Sequence, residues 1–413
     1  MKVALYGNMC NNFYTLAKAL RNSLGIEAHL YLHDQVDFQH KPESDDPELA
    51  GNYPDWIHVS PKWNTLPYLK KRDRSFIREL NKYDVVFLSD LGPVMAPEIK
   101  GYTIFYSTGS DLTTVPFPKK FAFKFKTFKD RIVWEYIGYM QRKGIRSCTK
   151  IFTQPFYPFA NALKEIGVAK ERIANCYFPI LMDLDVVKAT EDPWSRIDDY
   201  NKKQLEPFNF IIFHPSRLVI RKNRALVDSG HWKGNDALFK GLAIFKKKYN
   251  VEDVCIAMPD RIYSVEIPVA KEIIRSLGLD SNIVWLKPPT PEGFPRQQLM
   301  DYYTISDINT DEFATGWFGS IVVEGMACGK PTFCYVDETV MKQLYPWHPV
   351  ISVLEPEDIA EQIARFYFDR ELGKQVGAKS REWVVEYHSI TKGSEIYINN
   401  LKKELAAVFQ EVS

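Results

Sequence analysis

The sequence predicts an α/β protein of two Rossmann-like domains, and three observations carry that prediction. Short apolar, β-rich runs alternate with helix-period stretches from one end of the chain to the other. Runs such as Phe210-Ile211-Ile212-Phe213 are apolar on both faces, as in parallel strands covered by helices on either side. The length, 413 residues, accommodates two domains of ordinary size.

The first half yields expected strands at 2–6, 28–32, 84–88, 102–106, 150–153 and 174–178. The second half yields 208–213, 253–258, 282–286, 306–310, 332–336 and 350–353. Helical periods fall between them at 13–24, 73–82, 158–167, 236–249, 266–277, 320–328 and 357–369. From 180 to 207 the period is lost, and Asp183, Asp185, Glu191, Asp192, Pro193, Asp198 and Asp199 crowd a polar stretch. A fresh buried strand follows at Asn209. This reading gives a first domain over 1–190 and a second over 205–390. The end of the chain, 391–413, reads as a helix packing back on the first domain.

Composition excludes several classes. With 53 Lys and Arg against 52 Asp and Glu the net charge is +1, which excludes a nucleic-acid binder held by global charge and a disordered acidic chain. A chain this long buries a sufficient core without disulfides or metal. The six cysteines form no C-x-x-C pair, which fits reduced thiols. Met1 to Gly7 reads as a strand entering a glycine turn rather than a signal peptide, and no window approaches about 20 apolar residues. The expectation is a cytoplasmic protein, peripheral on the inner face of a membrane at most.

The stretch from Asp311 to Pro331 is the most informative. A strand ends near Asn309, a glycine-punctuated loop runs to Gly319, and a helix starts near Ser320 and stops at Gly329-Lys330-Pro331. The free N–H groups and positive end of that helix suit a diphosphate. Glu324 lies about one turn in, and helical side chains lean toward the N-terminus, which brings its carboxylate toward two ribose hydroxyls. Ordinary dipole complementation by an early Glu is the alternative. Gly325, Ala327 and Gly329 are small enough for close packing on a sheet.

A second cluster follows the strand 208–213. Arg217 leaves its carboxyl end, the ligand side of open α/β sheets, and Lys233-Gly234 leads into a helix capped by Asn235 or Asp236. Two or three cations beside a helix start neutralise a departing diphosphate without a metal. Lys222 is either a third such cation or part of a solvated run with Arg221 and Arg224.

Together these clusters resemble the family-4 retaining glycosyltransferases of GT-B fold. The matching order is Arg217, then Lys233-Gly234, then Gly319-x4-Glu324-Gly325-Met326-Ala327-x-Gly329-x-Pro331. Leu163-x3-Gly167 before Pro179-x3-Asp183, Tyr302-Tyr303-x3-Asp307, and Arg381-x2-Val384-x2-Tyr387-His388 also match. The resemblance implies two Rossmann-like domains with parallel sheets facing across a cleft, the C-terminal helix crossing back to the first.

It implies transfer of a hexose-type sugar, without cofactor or metal, from a UDP- or GDP-linked donor to a glycan or lipid-linked acceptor. Cell-surface polysaccharide or glycoconjugate assembly is the family's commonest work. By resemblance Glu324 holds the ribose, and Arg217 and Lys233, with Lys222, face the β-phosphate. Gly316, Trp317, Phe318, Gly319 and Ser320 line the donor, as do Gly7 and Asn8 after the first strand. Lys287 and Asp260 lie where the base is expected. Asn11, Asn12 and Ser110 fall on the acceptor side, and Asp111 orients an acceptor hydroxyl. Helix or turn capping by Asn11, Asn12 or Asp111 is the alternative.

One departure stands out. The family signature has two glutamates eight apart, and the first would fall at Gly316. Asp311 or Glu312, just upstream, is the available replacement. A sugar-nucleotide epimerase, an inverting GT-B enzyme and a non-catalytic nucleotide-sugar or glycan-binding protein are the other readings.

His29-x3-His33 has zinc-like spacing without a convincing further ligand, and Asp183-Leu184-Asp185 reads better as cap and linker than as a metal–diphosphate motif. Residues 117–131 interleave cations with aromatics, which suits either an anionic membrane surface or aromatics packed beneath solvated lysines.

Overall fold

A computed structural model describes residues 1–34, 36–60, 74–174, 179–261, 264–290 and 293–406. The chain divides into two compact units, one formed by Met1–Leu181 with the residues from Ile390 onward, the other by Met182–Ser389. Each is a six-stranded, wholly parallel sheet with helices.

In the first unit the strands are β1 (Lys2–Tyr6), β2 (Glu27–His33), β3 (Ile57–Ser60), β4 (Val85–Leu88), β5 (Tyr102–Tyr106) and β6 (Lys150–Phe152), in the order β3-β2-β1-β4-β5-β6. In the second they are β7 (Phe210–Phe213), β8 (Val254–Pro259), β9 (Ile283–Leu286), β10 (Ile308–Thr310), β11 (Thr332–Cys334) and β12 (Ile351–Ser352). Read from its far edge, β9-β8-β7-β10-β11-β12, the second sheet repeats the order of the first. Both therefore have a topological switch point, between β1 and β4 and between β7 and β10, where open α/β sheets take ligands.

Apolar residues on both faces of the strands make the cores. In the first unit Leu5, Leu30, Phe87 and Ile104 pack with Phe13, Leu16 and Leu20 of the helix Asn12–Leu24. Tyr397 and Leu401 of the helix Lys392–Glu404 join that core, with Leu405 just beyond it. In the second unit Phe210, Ile212 and Ile256 pack with Phe239, Leu242 and Phe245 of the helix Asp236–Tyr249.

Several elements were not expected from the sequence, among them the helices Arg296–Ile305 and Glu338–Leu344. Strand β3 is a short sheet edge whose Val59 faces solvent. The twenty-residue helix Phe128–Ser147 occupies part of the basic aromatic stretch and is started by a capping box between Thr127 and Asp130. The polar stretch after 180 is also partly ordered, with short helices Pro193–Arg196 and Asp199–Leu205. Asn201 of the latter is buried, accepting from the Lys287 N–H at 2.8 Å and donating to the Lys287 carbonyl at 2.9 Å. The expected strand 174–178, with Cys176, lies almost wholly outside the described residues, as does the side chain of Phe123.

Candidate functional site

In the second unit a buried charged group sits at the β7/β10 switch point. Beyond β7, Ser216 donates to Asp311 Oδ1 at 2.7 Å. The Lys233 ammonium lies 3.2 Å from the same oxygen and 2.6 Å from Glu312 Oε2. Backbone bonds fix this clamp from both sides: Phe313 N–H donates to the Lys233 carbonyl at 2.8 Å, and Tyr335 N–H to the Glu312 carbonyl at 2.9 Å. Gly234 has φ +62°, and a Cβ there would come within 3.3 Å of Ala314 Cβ, so the turn after Lys233 favours glycine.

Electrostatics follow from this burial. Burial alone would lower the Lys233 ammonium, but Asp311 and then Glu312 outweigh it and hold its pKa well above the usual lysine range. Burial, aided by Asp311, pushes the Glu312 carboxyl up to about 7 against the pull of Lys233 and Arg217. Arg217 is exposed and has no ion-pair partner among the described residues, so its charge is available to a ligand. Arg261, after β8, donates to the Pro215 carbonyl at 2.9 Å and adds a further cation that the sequence reading did not select.

Beneath the clamp lies a neutral histidine. Asn235 Oδ1 accepts from Val219 N–H at 2.7 Å, so its amide donates to His214 Nε2 at 3.0 Å. That leaves His214 Nδ1 to carry the proton and donate to Thr310 Oγ1 at 2.7 Å. Burial lowers the pKa of this ring to about 3. The network joins the start of the helix Asp236–Tyr249 to the ends of β7 and β10.

Glu324 stands on the fifth position of the helix Ser320–Ala327. It is buried, accepts from the Tyr303 hydroxyl at 3.0 Å and has Arg296 at 3.6 Å. Tyr303 is held un-ionised first by burial, then by Glu324, and also feels Asp311. Through it Glu324 and the Lys233 clamp share one neighbourhood. Gly319 precedes the helix and leaves its first N–H groups without a side-chain cap, and a Cβ there would lie 3.7 Å from Asp311 Oδ2. A Cβ on Gly325 would come within 3.0 Å of both Asn309 Cβ and Thr332 Oγ1, so a small residue seats the helix on β10 and β11.

The other sequence-selected residues divide. Gly316 has φ +78°, and its carbonyl accepts from Asp337 N–H at 2.8 Å. A glutamate there would need a left-handed backbone, and the carboxylates next to Lys233 are Asp311 and Glu312 instead. The Trp317 and Phe318 side chains are buried, stacked at 4.8 Å, with Phe318 against Trp383 and His388, so what this pair offers a donor is its backbone. Ser320 opens the helix.

Lys222 is not in the clamp, since its ammonium lies 4.6 Å over the Trp232 ring. Asp260 and Lys287 follow β8 and β9, one and two strands out from β7. Lys287 lines a cavity of about 270 Å³ with Arg196, Tyr200, Gln298, Asp301 and Tyr302. Asp183 accepts from Asp185 N–H at 3.1 Å, a local turn.

The first unit has a different inventory at its own switch point. Gly7 has φ +99°, and a Cβ there would lie 2.2 Å from Ser89 Oγ, so only glycine fits after β1. Asp90, after β4, adopts φ +53°; its N–H donates to Asp111 Oδ2 at 3.2 Å and its carbonyl accepts from the buried Gln141 at 2.7 Å. Its carboxylate has no hydrogen-bond partner among the described residues, and burial raises its pKa to about 6.

Asp111 is buried and accepts from the Thr108 and Gly109 N–H groups and the Thr108 hydroxyl, which makes it a turn cap. Burial and then the Asp90 charge raise it to about 7. Asp90 was missed because its proximity to Asp111 depends on strand order, and its one sequence signal was a strand exit.

Asn8 and Asn11 are tied into the loop after β1. Asn8 donates to Asn11 Oδ1 and the His40 carbonyl, both at 2.7 Å, and accepts from Tyr14 N–H at 2.9 Å. Asn11 donates to the Lys41 carbonyl and Ser44 Oγ at 3.0 and 2.9 Å. Both are buried in the loop framework, and it is Asn8, not Asn11 or Asn12, that caps the following helix. Asn12 is half-buried, and Ser110 is exposed.

A separate cavity of about 370 Å³, lined in part by Glu27, His29, Tyr31, His58 and Tyr83, includes none of the residues that follow the carboxyl ends of the strands. Among the described residues no three His, Cys, Asp or Glu side chains converge as metal ligands.

No family model matches the chain, and no curated protein matches it in sequence. Solved structures do. HepE from Anabaena, in complex with UDP and glucose, matches with a TM-score of 0.65 at 14% identity, over 98% of this chain and 100% of that one. Sucrose-phosphate synthase from Thermosynechococcus elongatus matches with a TM-score of 0.64 at 14% identity, over 98% and 99%. A glycosyltransferase from Rickettsia africae matches with a TM-score of 0.60 at 18% identity, over 98% of both chains. At such identities the likeness is one of architecture: the chain has the GT-B fold, with two Rossmann-like α/β domains.

Proposed function

We propose that the protein is a retaining glycosyltransferase. It moves a hexose-type sugar from a UDP- or GDP-linked donor to a glycan or lipid-linked acceptor, without a metal, in cell-surface polysaccharide or glycoconjugate assembly on the cytoplasmic side. The observation that carries this reading is the Lys233 clamp, with Arg217 free beside it and the uncapped helix start at Gly319 next to Asp311. The likeness to HepE, solved with UDP and with UDP-glucose, supports a uridine diphosphate donor.

In this reading the diphosphate is received by Arg217, Lys233 and the N–H groups at Ser320. Glu324 takes the ribose hydroxyls, and Glu312 meets the donor sugar in place of a glutamate at 316. As the glycosidic bond breaks, negative charge grows on the leaving phosphate, and fixed cations stabilise it with no reorganisation. That phosphate takes the acceptor proton on the same face of the sugar, so configuration is retained. The first unit recognises the acceptor, with Asp90 and Asp111 orienting its hydroxyl.

One observation favours a second reading. The Asp90 carboxylate, raised to about 6 and unpartnered, has the properties of a general base, which an inverting enzyme requires. Incubation with UDP- and GDP-sugars and mixed glycan acceptors, read by proton NMR of the product anomer, tests both. The retaining reading expects the donor's anomeric configuration in the product. Inverted product contradicts it, and nucleotide binding without sugar release or transfer contradicts enzymatic function altogether.

A further inference from the structure

The helix Phe128–Ser147 carries apolar residues on two opposite faces. Its inner face is committed. Gly138 and Gly144 lie so close to Pro118 and Pro93 that a Cβ would clash at 2.6 and 1.9 Å, and Gln141 between them donates to the Asp90 and Asp111 carbonyls. The opposite face has no such use. Phe128, Ile132 and Tyr139, spaced by four and seven residues, form one stripe and are 76%, 56% and 51% exposed. Trp134, stacked on Phe125 at 6.2 Å, adds a further exposed ring near the start of the helix. Single exposed apolar residues are ordinary on a protein surface, but an aligned stripe of large ones is not.

Charge narrows what covers this stripe. Residues 117–147 hold nine Lys and Arg and two acidic residues, in a chain whose net charge is only +1. Of the cations on the helix positions flanking the stripe, Lys129 and Lys143 are exposed, while Arg142 and Arg146 donate to the Pro116 and Ile166 carbonyls. Arg131 is paired with Glu135 at 3.1 Å, whereas Lys126 and Lys129 are exposed and have no ion-pair partner among the described residues. Aromatic and aliphatic side chains along one line, bordered by cations, are what an anionic bilayer surface takes: rings enter the headgroup boundary while lysines meet lipid phosphates.

We propose that the outer face of the helix Phe128–Ser147, with the lysines just before it, is a docking surface for an anionic lipid bilayer, on which the helix lies flat. This moves the surface from the segment 117–131 expected from sequence to the helix itself, because Phe117 and Phe121 are buried. No helix among the described residues is long and apolar enough to cross a membrane, and lying on the surface requires none. The inference is independent of the proposed chemistry, whose principal residues belong to the other unit.

Flotation of the full chain with vesicles tests it, comparing phosphatidylcholine alone with phosphatidylcholine containing one-third phosphatidylglycerol, at low and high salt. The wild-type chain is expected to float with the anionic vesicles and to lose about tenfold in partitioning on neutral vesicles or at high salt. The double variant Phe128→Ser, Ile132→Ser is expected to lose about tenfold with unchanged circular dichroism and melting temperature, while Phe128→Leu, Ile132→Leu retains binding. Lys126→Glu with Lys129→Glu should lose the preference for anionic vesicles. Equal flotation of wild type and the serine variant, or no flotation with either vesicle, overturns the proposal. So does a wild-type dimer in gel filtration that the serine variant abolishes, since the occupant would then be a second copy of the chain.

Discussion

The two units share one strand order yet equip the same topological position with opposite chemistry. At the β7/β10 switch point a lysine is gripped by two carboxylates, with Arg217 and Arg261 near by and an uncapped helix start alongside. At the β1/β4 switch point the charged groups are two carboxylates, Asp90 and Asp111, behind a glycine that leaves no room for a side chain. In the proposed function the sheet order sets where a ligand is met, and the residues at the strand exits set what it is. Cations suit a departing diphosphate. Carboxylates suit a hydroxyl that must be held and oriented.

Substitutions can break this contrast, beginning in the second unit. Lys233→Ala is expected to lower kcat about 10²–10³-fold. It also leaves Asp311 and Glu312 uncompensated and costs up to about 3–5 kcal/mol of stability. Arg217→Ala, exposed and unpaired, separates the two effects: a comparable loss of kcat with an unchanged melting temperature is expected, and wild-type turnover would refute the role. Glu324→Gln should raise the donor KM roughly 10–100-fold, since a charge-assisted hydrogen bond is worth about 1.5–3 kcal/mol. Steady-state kinetics with varied donor checks this.

In the first unit Asp90→Asn sharpens the contrast. An orienting carboxylate must be ionised to accept the acceptor hydroxyl, so kcat/KM of the wild type should fall as pH drops through about 6–7, where Asp90 and Asp111 take up protons. The variant should lose about tenfold at neutral pH, and its acid limb should move to lower pH as Asp111, still buried, is freed of the Asp90 charge. A loss of 10²–10⁴-fold would instead mark Asp90 as a general base and favour the inverting reading. Lys222→Ala is the small-effect control: with its cation seated on Trp232, turnover should change less than about threefold.

Much of the fold was legible because its strands are buried on both faces, as in Phe210–Phe213, and its helices have a single apolar face. Legibility failed where that contrast fails. Strand β3 is a short edge with Val59 outside, and the helix Phe128–Ser147 has exposed apolar residues opposite its packed face.

The candidate site followed the same logic. Gly316, Gly319, Glu324 and Gly329 punctuate a loop-to-helix transition that sequence alone records. The inward turn of Trp317 and Phe318 depends on Trp383 and His388, far along the chain. The pairing of Asp90 with Asp111 depends on β4 and β5 lying side by side. The His214–Asn235–Thr310 network likewise joins residues from three separate segments.

The most direct measurement is a calorimetric titration of the full chain with UDP and with GDP in the presence of a chelator, repeated on Arg217→Ala. One of the two is expected to bind the wild-type chain at a single site without a divalent ion, and to bind Arg217→Ala at least about tenfold more weakly. Binding that requires manganese, or equal affinity in the two proteins, would contradict it.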